Sequence, residues 1–272
     1  MGTLYLVATP IGNLEDISAR ALRILRESRL IAAEDTRVTR KLLSHYSIKA
    51  RLVSYFEHNK LSRLEVILAA LTDGDVALVS DAGTPGLNDP GYELVREALR
   101  AGYPVSAVPG AASPVVALVA SGLPSDSFLY LGYLPRRTGE RKDAISRVAQ
   151  LPYTLIFLES PHRLLESLRD LQSILGDRPV AVARELTKLH EEVWRGDLSG
   201  AREHFREPRG EFVLVVGGKT LAETERWSQA QIQAALRKRL RAGAPPTLAA
   251  AELAAESGWS RREIYKLAAS GS

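Results

Sequence analysis

The chain has 272 residues, of which 45% are hydrophobic and 25% are charged, as in an ordinary globular protein. This length predicts about two domains, or one large domain with an appendage. Because there are no cysteines, a disulfide framework, a thiolate metal site and a cysteine nucleophile are excluded. The first residues lack the pattern of a signal peptide, and glycines and prolines interrupt the longest apolar stretch. We therefore expect a cytoplasmic protein.

The first half of the chain alternates strands and helices. Apolar runs predict strands at residues 3–8, 30–33, 51–56, 76–80 and 105–108. Helical spacing predicts one helix capped by Asn13, one after Glu34-Asp35-Thr36, and three over residues 61–71, 92–101 and 113–120. This alternation is typical of a parallel sheet with helices on both faces, and we assign it to an N-terminal α/β lobe, residues 1–122.

The order and spacing of the predicted strands and helices change after a predicted linker at residues 123–127. Strands are predicted at residues 128–134, 154–158, 180–184, 191–196 and 212–216, with helices at 138–149 and 162–175. Short connections between the late strands favour a mixed sheet. The fold class is therefore α/β, with a second α/β lobe at residues 123–219.

The C-terminal segment is basic. The net charge of the chain is +4, and residues 226–272 carry eight basic and three acidic side chains, so residues 1–225 carry about −1. After a polar linker at 220–229, helices are predicted at 229–241, 248–257 and 261–269, with Thr247 and Ser260 as N-caps and Gly258 in a turn. This appendage, residues 228–272, fits a helix-turn-helix that binds a polyanion, or a plain helical hairpin with a solvated basic face.

Three loops rich in glycine and proline follow strands of the first lobe, at residues 9–13, 80–91 and 109–113. Open parallel sheets bind ligands beyond the carboxyl ends of their strands, and glycine allows close approach to the backbone. Plain turns are the alternative interpretation. The spacings match neither a dinucleotide fingerprint nor a phosphate loop, and the five histidines lack metal-ligand spacing, so NAD, ATP and a required metal are disfavoured.

Charged side chains also cluster at predicted strand ends, within residues 34–37, 57–59, 159–163 and 184–188. Together they predict a pocket with acidic and basic walls, suited to acid/base chemistry or to RNA. Simpler interpretations remain open: a helix N-cap for Asp35 or Thr36, a surface ion pair for Glu159 and Arg163, and a solvated loop for His58.

Several motifs together resemble one known family. They are Thr9-Pro10-Ile11-Gly12-Asn13-Leu14, Ala33-Glu34-Asp35-Thr36-Arg37, Ser80-Asp81-Ala82-Gly83-Thr84-Pro85, Asp89-Pro90-Gly91, Gly122-Leu123-Pro124-Ser125-Asp126 and Ala183-Arg184-Glu185-Leu186-Thr187-Lys188. They are similar to the motifs of bacterial 16S ribosomal RNA cytidine 2′-O-methyltransferases, within the tetrapyrrole (corrin/porphyrin) methylase superfamily. The resemblance covers residues 3–218 and extends to the C-terminal helices.

The resemblance implies two lobes with S-adenosylmethionine in the cleft between them, usually a homodimer, and cytidine of ribosomal RNA as the acceptor. Whether the substrate is free 16S ribosomal RNA or the 30S subunit stays open. The resemblance places cofactor contacts at Pro10, Asp81, Ala82, Gly83, Thr84, Pro85, Ala112, Ser113, Phe157, Leu158, Gly210 and Glu211. Residues 109–113 read Pro-Gly-Ala-Ala-Ser, where the family more often has Pro-Gly-Pro-Ser. This departure leaves open which of Ala112 and Ser113 makes the contact.

Methyl transfer to a ribose oxygen requires a positioned hydroxyl and removal of one proton. We hypothesise that Asp35, His58 or Glu159 assists the proton transfer. We further hypothesise that RNA phosphates bind the four cations Arg37, Arg163, Arg184 and Lys188.

Two other functions stay open on the sequence alone. One is a tetrapyrrole C-methyltransferase, against which the basic appendage argues, because a small macrocycle needs no such tail. The other is a helix-turn-helix regulator with a ligand-sensing α/β body, which would bind duplex DNA and show no turnover.

Overall fold

The computed structural model describes residues 1–219, 227–241, 244–257 and 259–269. Contacts divide the chain into two compact units, Met1–Gly218, called the body here, and Lys219–Ser272, called the tail. The body contains two five-stranded sheets, and the tail contains the three C-terminal helices. Within the described residues, none of the helices combines the length and apolar character that crossing a membrane would require.

The first sheet is entirely parallel. Its strands are β1 (Leu4–Val7), β2 (Leu30–Ala33), β3 (Leu52–Ser54), β4 (Val76–Val79) and β5 (Val105–Val108), in the order β3-β2-β4-β1-β5. Five helices accompany them: α1 (Ala19–Glu27), α2 (Thr36–His45), α3 (Lys60–Asp73), α4 (Tyr92–Arg100) and α5 (Ser113–Ser121). The parallel sheet predicted from the alternating pattern is confirmed.

Apolar cores lie on both faces of the first sheet, which explains its continuous hydrophobic runs. Along β4, Ala77 and Val79 belong to one buried cluster, while Val76 and Leu78 belong to the other. Successive side chains of a strand point to opposite faces, so a strand between two cores needs an apolar residue at every position.

The second sheet is mixed, as predicted. Its strands are β6 (Phe128–Tyr133), β7 (Thr154–Glu159), β8 (Pro179–Arg184), β9 (Glu192–Asp197) and β10 (Phe212–Val216), in the order β6-β7-β10-β8-β9. Only the β6–β7 pair is parallel among these described strands. Helices α6 (Thr138–Val148), α7 (Leu164–Leu175) and α8 (Leu198–His204) complete this part of the body.

Helix α5 ends the predicted first lobe but packs on the second sheet. Ala117 and Leu118 share a buried cluster with Ile156, Ala181 and Val213. The helix thereby ties residues of the first lobe to the core of the second. The division of the body into lobes at residues 1–122 and 123–219 stays a prediction.

Two helix starts in the body differ from the sequence prediction. Asn13 caps only a short 3-10 helix (Leu14–Asp16), and α1 begins after Ser18, whose hydroxyl accepts a hydrogen bond from the Ala21 N–H at 3.1 Å. Helix α8 was not predicted at all. It begins after Asp197, whose carboxylate accepts a hydrogen bond from the Gly200 N–H at 2.7 Å.

The tail contains α9 (Gln229–Arg241), α10 (Pro246–Ser257) and α11 (Arg261–Ala269), around a core that includes Ile232, Leu253 and Ile264. Helix α10 begins at Pro246, so the prediction that Thr247 is its N-cap is wrong; proline suits a first helical position. The predicted cap Ser260 is confirmed, because it and Glu263 exchange hydrogen bonds as a capping box. Gly258 and residues 220–226 of the predicted linker lie outside the described residues.

Candidate functional site

The three glycine- and proline-rich loops meet at one edge of the first sheet. Thr9 and Gly83 form a backbone bridge, with N–H to O distances of 2.9 and 3.0 Å. The Thr84 hydroxyl donates to the Ala111 carbonyl at 3.1 Å. The loops after β1, β4 and β5 are joined in this way because those strands are parallel neighbours whose carboxyl ends share an edge.

Gly83 is central to this junction. Its φ is +80°, a conformation that side chains disfavour, and an added Cβ would stand 3.3 Å from Cγ2 of Ile11. The position therefore needs glycine for both backbone conformation and close packing of two loops.

A cavity of about 250 Å³, called the first cavity here, opens at this junction. The first sheet's side contributes Ile11, Glu34, the loop residues 81–84 and 87–89, and residues 112–114 at the start of α5. The second sheet contributes Tyr130, Tyr133, Leu158, Ala183, Leu186 and residues 211–213. The cavity thus lies within the body between the strand ends of one sheet and the face of the other.

The charged side chains that line the first cavity are all acidic: Glu34, Asp81, Asp89 and Glu211. The Asp81 N–H donates to the Glu34 carboxylate at 3.3 Å. Burial, reinforced by neighbouring carboxylates, raises the pKa of Glu34 and of Asp81. Burial, together with the charges of Glu34 and Asp81, raises the pKa of Asp89 to about 6. Such a wall favours a cationic ligand and repels a phosphate.

Tyr130 adds a hydrogen-bond donor to the same cavity. Its hydroxyl is buried and, among the described residues, has no hydrogen-bond partner. Burial raises its pKa to about 12, so the hydroxyl keeps its proton. A buried hydroxyl without a partner is costly, which points to a ligand atom as its partner.

A second cavity of about 350 Å³ adjoins the first, and Ile11, Asp81, Ala82 and Glu211 line both. Its other lining residues are Thr9, Pro10, Gly12, Leu14, Ser80 and Lys188, with Val38, Thr39, Lys41 and Leu42 of α2. The loop after β1 and the segment after β8 meet here.

The loop after β1 and the segment after β8 are in close contact. The Asn13 N–H donates to the Thr187 hydroxyl at 3.0 Å, and a Cβ on Gly12 would stand 2.5 Å from Cγ of Lys188. The Lys188 ammonium donates in turn to the carboxylates of Glu185 and Glu211, each at 3.0 Å. Contacts between the two sheets therefore hold Glu211 at the boundary of the two cavities.

Most of the predicted cofactor residues gather around these cavities. Asp81, Ala82, Gly83, Thr84, Ala112, Ser113, Leu158 and Glu211 line the first cavity, and Pro10 lines the second. Pro85, Phe157 and Gly210 line neither. The Phe157 side chain packs in the core under the second sheet, while Gly210, with φ +88°, makes the turn before Glu211. Binding by these residues stays a prediction.

The predicted proton acceptors do not converge on either cavity. Asp35 caps α2 and pairs with Arg37 at 2.7 Å, and this pairing lowers its pKa to about 2. His58 is exposed, with its ring 6.3 Å from that of Phe56. Glu159 is buried, and its carboxylate accepts hydrogen bonds from the Ser167 hydroxyl at 2.5 Å and from the Ser160 N–H at 2.8 Å. Asp35 contacts the cavity wall through its backbone, since its N–H donates to the Asp81 carboxylate at 2.9 Å, and Glu159 pairs in the second sheet with Phe212, which lines the first cavity.

The predicted RNA-binding cations have internal partners. Arg163 donates to two backbone carbonyl groups, at 2.6 and 3.2 Å. Arg184 pairs with Glu192 at 3.3 Å, and Lys188 is held by its two carboxylates. Arg37 has the most exposed side chain of the four, at 83%, although it pairs with Asp35. Of the four, Lys188 lines the second cavity and the other three line neither cavity, and RNA binding by these cations stays a prediction.

Sequence reasoning missed Asp89 and Tyr130 as lining residues. A signal existed for Asp89, which stands in the Asp89-Pro90-Gly91 motif. No sequence signal identified Tyr130. The alternation of residues along a strand indicates which side chains share a face, but not which part of the protein packs against that face. Among the described residues, no group of three or more histidine, aspartate or glutamate side chains is arranged to hold a metal ion.

Comparisons with known proteins agree on one group. The family model for Tetrapyrrole (Corrin/Porphyrin) Methylases matches residues 3–202. A protein named ribosomal RNA small subunit methyltransferase I from Halalkalibacterium halodurans is 46% identical over 272 residues, covering 98% of this chain and 94% of that one. One of the same name from Thermotoga maritima is 48% identical over 222 residues, covering 80% of this chain and 100% of that one.

Solved structures share the fold. The uroporphyrin-III C-methyl transferase from Thermus thermophilus, complexed with S-adenyl homocysteine, aligns with a TM-score of 0.55 and 23% identity. The alignment covers 79% of this chain and 97% of that one. At this identity the likeness supports the architecture of the body.

Proposed function

The chain belongs to the tetrapyrrole (corrin/porphyrin) methylase family of S-adenosylmethionine-dependent methyltransferases, and from that premise we propose that it methylates the ribose 2′-oxygen of a cytidine in 16S ribosomal RNA. The choice of acceptor rests on the similarity to relatives that are named for small-subunit ribosomal RNA. That similarity covers 98% of the chain and therefore includes the basic tail. A ribosomal acceptor also implies a cytoplasmic location.

The first cavity fits the methyl donor. When bound, S-adenosylmethionine supplies a methyl group activated by a positively charged sulfur. The acidic lining of the cavity suits that charge, and the free hydroxyl of Tyr130 suits a polar atom of the ligand. We assign the backbone of residues 82–84, with Ser113, Leu158 and Glu211, to holding the donor. Predicted contacts at Pro85, Phe157 and Gly210 would act through backbone position.

The protein must then hold the ribose oxygen near the methyl carbon and accept one proton. Well-oriented groups react with a large effective molarity, so we assign most of the rate acceleration to positioning. Of the predicted proton acceptors we retain Asp35 in the role of polarising the hydroxyl. Its backbone N–H contacts Asp81, which lines both cavities, whereas the pairing with Arg37 lowers the pKa of its carboxyl to about 2, too low for an efficient proton acceptor. We expect Asp35→Ala to lower the single-turnover rate and His58→Ala to leave it unchanged. A wild-type rate in Asp35→Ala would remove the acid/base role.

The acceptor class is tested by incubating labelled S-adenosylmethionine and the protein with 30S subunits, free 16S ribosomal RNA or a porphyrinogen. We expect label in the RNA, from one or both RNA substrates, and none in the porphyrinogen. Label in the porphyrinogen alone would establish the tetrapyrrole C-methyltransferase alternative. Duplex DNA binding without turnover would establish the regulator. We also propose a homodimer, to be checked by sedimentation equilibrium.

A further inference from the structure

The second cavity lies where the acceptor of a methyl group must lie. It shares four lining residues with the first cavity, so ligands in the two cavities would be direct neighbours. Displacement at the methyl carbon requires the attacking oxygen within about 3–3.5 Å of that carbon. With the donor in the first cavity, an adjoining site is therefore needed for the ribose.

Charge distinguishes the two cavities. Among the described residues, no lysine or arginine lines the first cavity, which has four carboxylates. The second keeps two of those carboxylates, Asp81 and Glu211, but balances them with Lys41 and Lys188. Its wall also includes the apolar side chains of Leu14, Val38 and Leu42. A nucleotide combines an anionic phosphate with a flat base that packs on apolar surface, so it suits the second cavity better than the first.

Helix α2 extends the basic surface away from this cavity. The helix has no acidic residue between Thr36 and His45, and its exposed residues include Arg37, Arg40 and Lys41. Arg40 and Lys41 have no carboxylate within ion-pair distance in the part of the chain that the structure describes. Exposed cations without carboxylate partners are available to bind phosphate groups.

We propose that the second cavity and the exposed face of α2 form the RNA site of the body, with the target nucleotide in the cavity and its neighbouring phosphates on Arg40 and Lys41. The proposal rests on the proposed function. It differs from the sequence hypothesis, in which three of the four phosphate ligands, Arg163, Arg184 and Lys188, lay at or after strand ends of the second sheet.

The first test removes the charges of α2 in the full-length protein. Arg40→Ala with Lys41→Ala is compared with Lys142→Ala with Arg147→Ala, which removes two exposed charges from α6. Binding of 16S ribosomal RNA is measured over a salt series. We expect the α2 variant to bind roughly tenfold more weakly at low salt, with the slope of log K against log salt smaller by about 2. The α6 variant should match the wild type, and both should bind S-adenosylmethionine normally.

The second test fills the cavity. Val38 lines the second cavity but not the first, so Val38→Trp should lower kcat/KM for the RNA by roughly tenfold or more while the Kd for S-adenosylmethionine changes less than about twofold. If the α2 and α6 variants bind RNA alike, or if Val38→Trp weakens only donor binding, the proposed RNA site is wrong although the enzyme still methylates RNA. A wild-type protein that neither binds nor methylates the RNA overturns the proposed function as well.

Discussion

Replacing Asp89 with asparagine should stabilise the protein near neutral pH and leave its stability almost unchanged at pH 4. The Asp89 carboxyl lines the first cavity close to Glu34 and Asp81, and burial is the main cause of the rise in its pKa from 3.8 to about 6. A carboxyl whose pKa is raised on folding stabilises the folded state below its unfolded pKa. That stability is lost as the pH rises through the folded pKa. Asparagine does not ionise, so it avoids the loss.

The size of the effect follows from the shift in pKa. A rise of roughly two units corresponds to about 3 kcal/mol at 1.36 kcal/mol per unit. Because the side chain of Asp89 is only partly buried, solvent screens the charge. We therefore expect ~1 kcal/mol in the free energy of unfolding at pH 7.5.

Urea unfolding at pH 4 and pH 7.5 measures the difference directly, with Asp126→Asn as a control at an exposed aspartate. The control should change stability little at either pH. An Asp89→Asn protein that is less stable than the wild type at pH 7.5, or equally stabilised at both pH values, would show that ionisation of Asp89 does not destabilise the folded state. The same variant should bind S-adenosylmethionine more weakly at pH 7.5, because the wall then has one negative charge fewer for a cationic donor.

Three further predictions concern the loop junction, the core and the tail. Gly83→Ala and Gly102→Ala both place a side chain at positive φ and should each cost about 1–2 kcal/mol in urea unfolding. Only Gly83→Ala should also weaken S-adenosylmethionine binding in calorimetry, since an added Cβ at Gly102 meets no atom within 4 Å. Asp170→Ala removes the buried carboxylate at 2.7 Å from the guanidinium of Arg141 and leaves it with the exposed Glu166 at 3.4 Å and the Arg136 carbonyl, so it should cost about 3 kcal/mol; a cost below about 1 kcal/mol would contradict a buried pair. A chain ending at Lys219 should bind the donor normally but bind 16S ribosomal RNA more weakly at low salt, and equal RNA affinity across a salt series would exclude a role for the tail.

The elements of the body followed from local pattern, but the pairing of the second sheet did not. Continuous apolar runs such as Val76–Val79 predict strands covered on both faces, and the structure has them. In the second sheet, β10 lies between β7 and β8, with Phe212 opposite both Glu159 and Arg184. Such pairing depends on contacts between distant segments, which the spacing of residues within one strand does not encode.

The loops of the candidate site could be predicted, because their motifs fix the backbone conformation. The direction in which a single side chain points could not be predicted. The loop around Gly83 could be located from its glycines and prolines. Strand β7 shows the limit: Leu158 lines the first cavity, while Phe157 and Glu159 point to the opposite face, where Glu159 bonds to Ser167 of α7. Glu159 does lie at the end of a strand, as predicted. Because successive side chains of a strand point to opposite faces, its carboxylate points away from the first cavity, which Leu158 lines.

Methylation at a ribose oxygen is tested most directly by alkaline hydrolysis of the labelled RNA. A methyl group on the 2′-oxygen blocks cleavage of the adjacent phosphodiester bond, because that oxygen can no longer attack the phosphorus. We expect the label in an alkali-resistant dinucleotide that begins with cytidine. Label released as a single nucleotide, methylated on its base, would contradict it.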